Sequence, residues 1–522
     1  MAHNILVVDI GTQSLRASVV SSRGEILSFS QKKYDPPFYS PEKGFAEQDV
    51  DYYLEQLCRA TWDIESDHPG LLSTIEGMVV VPFRDSSVIL DENKKPIRRA
   101  ILWMDQRVTR IPNMSNFQWY EKAIFGLIGM TDTVKYNSER TVTFWLMEHE
   151  KENWDKMRWF CPLGAYFNYK ITGRLVVSTA DCIGHYPIDF PHGKWFSRHH
   201  LKQNVFKIPY ESLPELVKAG EVIGQVTDEF SQLSGIPAGT RVFASGSDKS
   251  CETFGNGCID KYSASISLGT ACSIDIVDTK YAEPEKFLPS YPCPYPGAFD
   301  QEIQIYNGLW MVKWFIENFG YEDQLEARAK GVSTEEILNE KLKSVPAGCD
   351  GLVLQPYWQP GLKRPNAKGS IVGFSAVHGK YHLYRAIIEG IAFALREGMD
   401  EIVKKTHTKP SFITISGGGS ASKEFCQIIA DVFNIECYIS PEKESSTIGG
   451  AMSGFLACGV FTSPQEAKDA MVMRGESVHP NAKNHEIYNK LYKKVYLKMY
   501  PSLKKVYENS KSFFLDSVEG KQ

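Results

Sequence analysis

Two strand–turn–strand units of similar composition, about half a chain apart, constrain this sequence more than any other feature. The first runs Ile5-Leu6-Val7-Val8, then the polar turn Asp9-Ile10-Gly11-Thr12-Gln13-Ser14-Leu15-Arg16, then Ala17-Ser18-Val19-Val20. β-Branched runs on both sides of a polar turn predict a buried β-hairpin. Residues 264–276 repeat the plan around Leu268-Gly269-Thr270-Ala271-Cys272-Ser273. Two related domains that face one another would carry such a pair. In each turn the glycine lets the backbone come close to a ligand, and hydroxyls add donors to the turn amides, a combination suited to an anion. Asp9 repels an anion but suits a hydrated Mg²⁺ beside one. Either turn alone also reads as an ordinary hairpin tip; two of them closing on one polyphosphate is the specific expectation. It agrees with the absence of a G-x-x-x-x-G-K-[ST] loop and of a full G-x-G-x-x-G motif.

Composition narrows the class. With 522 residues, 43% hydrophobic and 23% charged, the chain is long enough for two or more cores. A net charge of −5 without long Lys/Arg blocks argues against nucleic acid as a partner. The 11 cysteines are scattered and form no C-x-x-C pair, as expected of reduced core thiols. No apolar run approaches the roughly 18 residues of a membrane span, so the expected location is cytoplasmic, with no membrane partner.

Candidate chemistry follows along the chain. A helix is expected near 49–65. A strand ending at Val81-Pro82-Phe83 leads into Arg84-Asp85-Ser86-Ser87. Between two apolar strands such a pair is either a local ion pair or a clamp for vicinal hydroxyls, Arg donating and Asp accepting. Ile101-Leu102-Trp103 repeats the strand-then-polar pattern. Tyr136-Asn137-Ser138 is expected to open a helix that carries Val142, Trp145 and Leu146, and residues 160–173 to form another helix. The strand Val242-Phe243-Ala244 ends near Asp248, at the place where open α/β sheets bind ligands. Asp248 reads either as a general base for a substrate hydroxyl or as the cap of the helix that follows. Residues 383–395 keep amphipathic spacing, residues 447–459 read as a closely packed small-residue helix, and the tail from about 485 as core-facing. Gly417-Gly418-Gly419 joins a strand to a helix, as a cradle for a flat ligand or as a flexible connector.

These residues resemble the FGGY family of carbohydrate kinases, within the superfamily shared by sugar kinases, heat-shock chaperones and actin. The most specific match is Gly369-Ser370-Ile371-Val372-Gly373-Phe374, then seven residues, then His382 to Gly390, which looks like the family's C-terminal signature in full. The N-terminal signature is partial: Tyr136, Ser138, Val142 and Leu146 match, but Thr141 replaces the usual Lys and Phe144 the usual Trp. The resemblance implies an α/β fold of two ribonuclease H-like (actin-like ATPase) domains facing across an interlobe cleft. Expected limits are 1–247 for the sugar-binding domain with the first phosphate loop, 248–460 for the second phosphate loop and adenosine site, and 461–522 for a helical tail.

It also implies site residues. Thr12, Gln13, Ser14 and Arg16 would form one phosphate loop and Gly269 and Thr270 the other. Gly308, Gly418, Gly419 and Lys423 would flank the nucleotide, and Asp9 would organise Mg²⁺. Asp248 would be the catalytic base, and Arg84, Asp85, Trp103, Tyr136, Asp248 and Lys249 would contact the substrate. Arg84-Asp85-Ser86-Ser87 looks like the Arg-Glu-Thr-Thr of glycerol kinases. Lys249 stands where those enzymes have Gln and xylulose kinases Asn, so it suits an oxygenated or anionic substrate or simply pairs with a nearby acid. The expected activity is transfer of the γ-phosphoryl group of ATP to a small sugar or polyol resembling xylulose, glycerol or erythritol, with a homodimer admissible. An autoinducer-2-type kinase and a non-catalytic nucleotide-gated sensor are the alternatives.

Overall fold

The computed structural model describes residues 3–519 other than Ile183, Lys286, Pro360, Leu362 and Pro365. The first sheet grows from the N-terminal hairpin. β1 (Asn4–Ile10) and β2 (Ser14–Ser21) pair antiparallel with Asp9 opposite Arg16, and β3 (Ile26–Lys33) continues the meander. All of β1 is buried, as expected of a strand covered on both faces. β4 (Ile75–Pro82) lies parallel to β1; β5 (Val222–Gln225) and β6 (Arg241–Phe243) complete the order β5-β6-β4-β1-β2-β3.

The second sheet repeats this topology. β7 (Ser263–Leu268), β8 (Cys272–Asp278), the short β9 (Tyr291–Pro292) and β10 (Phe299–Ile305) form its antiparallel half. β11 (Phe412–Ser416) and β12 (Glu436–Ile439) add in parallel beyond β7, and β13 (Ser477–Val478) closes the edge. In both sheets a hairpin, a third antiparallel strand, two parallel strands and an antiparallel edge strand follow the same spatial order. The two Gly-Thr turns join equivalent strands.

Helices cover these sheets. α1 (Val50–Asp67) begins at Asp49, whose carboxylate caps the Asp51 amide, and packs on β2 and β3. Two local expectations are corrected. Tyr136 lies in the middle of α2 (Thr131–Arg140), which ends where Thr141 becomes extended and its hydroxyl donates to the Asn137 carbonyl at 2.9 Å. α3 (Val142–His149) then starts afresh and buries Leu146. Residues 159–162 form a strand paired with Ser87–Leu90, so the next helix, α4 (Leu163–Thr172), starts only after Pro162.

α5 (Asp248–Gly255) carries the chain between the sheets. α6 (Trp310–Phe319), α7 (Lys380–Thr406) and α8 (Lys423–Phe433) cover the second sheet, and from α7 Phe393 meets Tyr488, Tyr492 and Tyr496 of the C-terminal segment at 5.4–6.0 Å. α9 (Ser445–Cys458), although late in the chain, docks on the first sheet. A Cβ on Gly450 would stand 2.8 Å from Val81 and one on Gly454 3.0 Å from Ile5. α5 crosses α9 so closely that a Cβ on Gly449 would overlap the Cys251 carbonyl, and one on Gly255 the Ser445 carbonyl. No helix among the described residues is long and apolar enough to cross a membrane.

Candidate active site

Both Gly-Thr turns border one cavity of ≈ 400 Å³ between the sheets. Thr12 reaches it from the first turn and Gly269, Thr270 and Ala271 from the second; Arg84, Asp85, Trp103, Asp248, Lys249 and Glu302 line the space between. The first turn is held by a Gly11 amide bond to the Ser14 carbonyl at 3.0 Å. Ser14 faces inward and accepts from Gln31 at 2.9 Å, while Gln13 is exposed. Trp103 Nε1 donates to Thr12 Oγ1 at 3.0 Å, tying the turn to the cavity wall.

Asp9 lies buried behind this turn. Its Oδ2 accepts from Ser446 Oγ on α9 at 2.8 Å and from Arg16 at 3.4 Å, and Arg16 also meets Glu444 at 3.2 Å. Burial raises the Asp9 pKa, with Arg16 and Ser446 pulling the other way. Its Oδ1 has no donor among the described residues. One carboxylate with a free oxygen beside a phosphate turn fits a Mg²⁺ that keeps most of its water. Among the described residues no three His, Cys, Asp or Glu side chains are grouped to hold a metal by themselves.

Asp248 is the first residue of α5. Ser247 supplies the N-cap; Asp248 lines the cavity, and its Oδ1 accepts from the Lys249 amide at 2.8 Å. Burial pushes its pKa up to about 6, against the pull of Lys249 and Arg84, with Asp9 adding to the rise. A second buried carboxyl, Asp181, feels the Asp248 charge; burial first, then that charge, raises it well above the ordinary range.

Arg84 and Asp85 do not pair with each other. Arg84 forms an ion pair with Glu302 on β10 and lies 5.4 Å over the Tyr291 ring. Burial would lower its pKa, but Glu302, Tyr291 and Asp248 together outweigh burial and raise it. Asp85 has a φ of 61°, uncommon for a residue with a side chain, and its Oδ1 meets His185 Nδ1 at 3.1 Å. Burial would lower the His185 pKa, yet Asp85 prevails and raises it. Gly184 is obligatory here, since a Cβ would collide with the Asp85 carboxylate. Tyr136 does not line the cavity; Arg140 stacks on its ring at 3.6 Å, and its hydroxyl acts on Tyr306, which does line it.

Lys249 donates to Glu252 at 2.6 Å and to Ser267 Oγ at 2.9 Å. On the outer side, Gly308 at the β10–α6 junction leaves no room for a side chain beside Cys272. Gly419 packs against Leu268, whereas a Cβ on Gly418 would meet open space. Lys423 opens α8 and points to Glu476 at 2.8 Å, away from the cavity lining. Sequence reading missed Glu302, His185 and Asp181, none of which sits in a local motif, and did not single out Glu252 as the acid that Lys249 pairs with.

Comparison with known proteins gives the family and the fold. The models of the FGGY family of carbohydrate kinases match here, the N-terminal domain over residues 4–255 and the C-terminal domain over 264–458. A xylulose kinase of Lactococcus lactis is 27% identical over 523 residues, covering 99% of this chain and 98% of its own. A gluconokinase of Bacillus licheniformis is 24% identical over 513 residues, 94% of each chain. The solved structure of a ligand-bound xylulose kinase from Lactobacillus acidophilus shares the fold with a TM-score of 0.82 at 21% identity, over 97% of this chain and 99% of the other. The chain belongs to the FGGY family of carbohydrate kinases, and is an ATP-dependent phosphotransferase acting on an alcohol group of a sugar or polyol.

Proposed function

We propose that the cleft transfers the γ-phosphoryl group of ATP to a hydroxyl of a small neutral sugar or polyol, with Asp248 as general base. The observation that carries this reading is that Asp248 lines one cavity with both Gly-Thr turns. Phosphoryl transfer asks little covalent work of a protein; it needs alignment and stabilisation of charge on the transferred oxygens. Thr12 and Ser14 with the amides of their turn, Arg16, and Gly269 with Thr270 would bind the phosphates from the two sides. Gly308, Gly418 and Gly419 would flank the adenosine. Bound through Asp9, Mg²⁺ would neutralise charge between the phosphates. Asp248, at about 6, is ionised at neutral pH and still basic enough to take the acceptor's proton as its oxygen bonds phosphorus.

Charge balance supports a neutral acceptor. Arg84 is matched by Glu302 and Lys249 by Glu252, so among the described residues a carboxylate on the acceptor meets no uncommitted cation beside Asp248. Asp85, Trp103 and, from behind Tyr306, Tyr136 would complete the acceptor pocket. The relatives carry the names xylulose kinase and gluconokinase; the paired cations favour the neutral ketose. ADP release with xylulose, glycerol, erythritol, gluconate and autoinducer-2 precursors tests this. Turnover of the neutral compounds is expected; preference for gluconate would overturn it.

A further inference from the structure

Lys249 and Glu252 have no part in the transfer step as described, yet Lys249 lines the cavity and Glu252 is paired with it. Lys249, Glu252 and Asn256 follow one another at i, i+3 and i+7, which puts them on one side of α5. That side meets the second sheet. Lys249 Nζ donates to Glu252 Oε2 at 2.6 Å and to Ser267 Oγ at 2.9 Å. Glu252 Oε1 accepts from Ser416 Oγ at 2.8 Å. Asn256 Nδ2 donates to Ser265 Oγ and Ser416 Oγ, each at 2.9 Å. Burial alone would raise the Glu252 pKa, but Lys249 and the serine hydroxyls hold it below the ordinary value.

Position gives these bonds their meaning. Ser267 is the last residue but one of β7, which ends in the Gly269-Thr270 turn, and Ser416 ends β11, which runs straight into Gly417-Gly418-Gly419. The helix whose first residue is Asp248 is therefore bonded to both strands that end in nucleotide-side turns. An adjoining side is pressed on α9 through Gly255 and Gly449, which holds α5 between the sheet and that helix. A buried pair that served only to neutralise Lys249 would need one carboxylate oxygen; here the second oxygen reaches another strand.

We infer that Glu252 is a positioning residue, which with Lys249, Ser267 and Ser416 latches the base-bearing helix to the two nucleotide-side turns. The inference rests on the base assignment proposed above. Placement of Asp248 then follows placement of those turns, and nucleotide occupancy and base geometry are coupled.

The test uses the full-length chain and three variants, Glu252→Gln, the double variant Lys249→Met/Glu252→Met, and Asp248→Asn. Deuterium exchange over residues 244–256 is read with and without ADP and Mg²⁺, and kcat and KM are measured with the best neutral acceptor of the panel. In the parent, ADP is expected to protect this segment. Glu252→Gln is expected to lose that protection and to lower kcat by about 10–100-fold, the scale of a small misplacement of reacting groups, with both KM values within about threefold. The double variant replaces a buried pair by apolar side chains and is expected to melt like the parent while kcat stays low. Parent-like kcat or intact ADP protection in Glu252→Gln overturns the inference, as does a parent that shows no ADP protection. Full kcat in the double variant also overturns it, because neutralisation would then suffice. Full turnover by Asp248→Asn would remove the base assignment alone, and the exchange data would still judge the latch.

Discussion

Arg84, two residues beyond β4, forms an ion pair with Glu302 on β10, joining the two sheets across the cavity through residues 218 positions apart. Both side chains are largely withdrawn from water, at 12% and 4% exposure, so removing one partner strands the other. Glu302→Gln is expected to cost about 3 kcal/mol in urea unfolding and to raise KM for the acceptor, because Arg84 loses its anchor. A loss below about 1 kcal/mol would mean that the pair behaves like an exposed one.

Asp248→Asn keeps the shape of the site and removes the base. Turnover is expected to fall by about 10²–10⁴-fold while ADP affinity, measured by titration calorimetry, stays near that of the parent. Equal loss of both would point to a collapsed helix α5 instead.

The pH profile should carry the same group. Burial lifts Asp248 to about 6, and its ionised form is the active one, so kcat/KM is expected to be flat above that pH and to fall about tenfold per unit below it. Stability runs the other way. A carboxyl whose folded pKa is raised binds more protons folded than unfolded, so its contribution declines as pH rises from about 4 through 6. Asp248→Asn should accordingly melt above the parent at pH 8, and the difference should shrink toward pH 4. Thermal scans at the two pH values decide it.

Gly449 lies against the Cys251 carbonyl where α5 and α9 cross. A methyl group there meets rigid backbone, so Gly449→Ala is expected to destabilise by about 3 kcal/mol or more, the upper end for overpacking. Gly418→Ala, facing open space, should leave stability within about 0.5 kcal/mol, and chemical unfolding of the two side by side measures the contrast.

Much of this arrangement was legible in the sequence because it is local. Each hairpin declares itself through alternating β-branched residues and a Gly-Thr turn, and Asp248 sits at a strand end that the pattern marks. The long amphipathic α7 and the core-facing tyrosines at 488, 492 and 496 follow from spacing alone. What escaped is decided by tertiary partners. Arg84-Asp85 reads as one unit, yet its members turn to Glu302 and His185 on different elements. The helix around Tyr136 starts at Thr131 and stops at Arg140, where Thr141 turns extended and its hydroxyl donates back to the Asn137 carbonyl, a break that the apolar spacing does not mark. The small residues of 447–459 announce close packing without saying that the surface they meet belongs to strands over 360 residues earlier.

That last contact has a consequence for synthesis. Ile5, Val7, Val79 and Val81 are covered by α9, so the N-terminal half leaves the ribosome with one apolar face bare and keeps it so until residues 445–458 have emerged. A nascent chain of this kind carries a sticky surface for most of its translation, and its vectorial folding waits on its own distal end or on a chaperone that shields the gap.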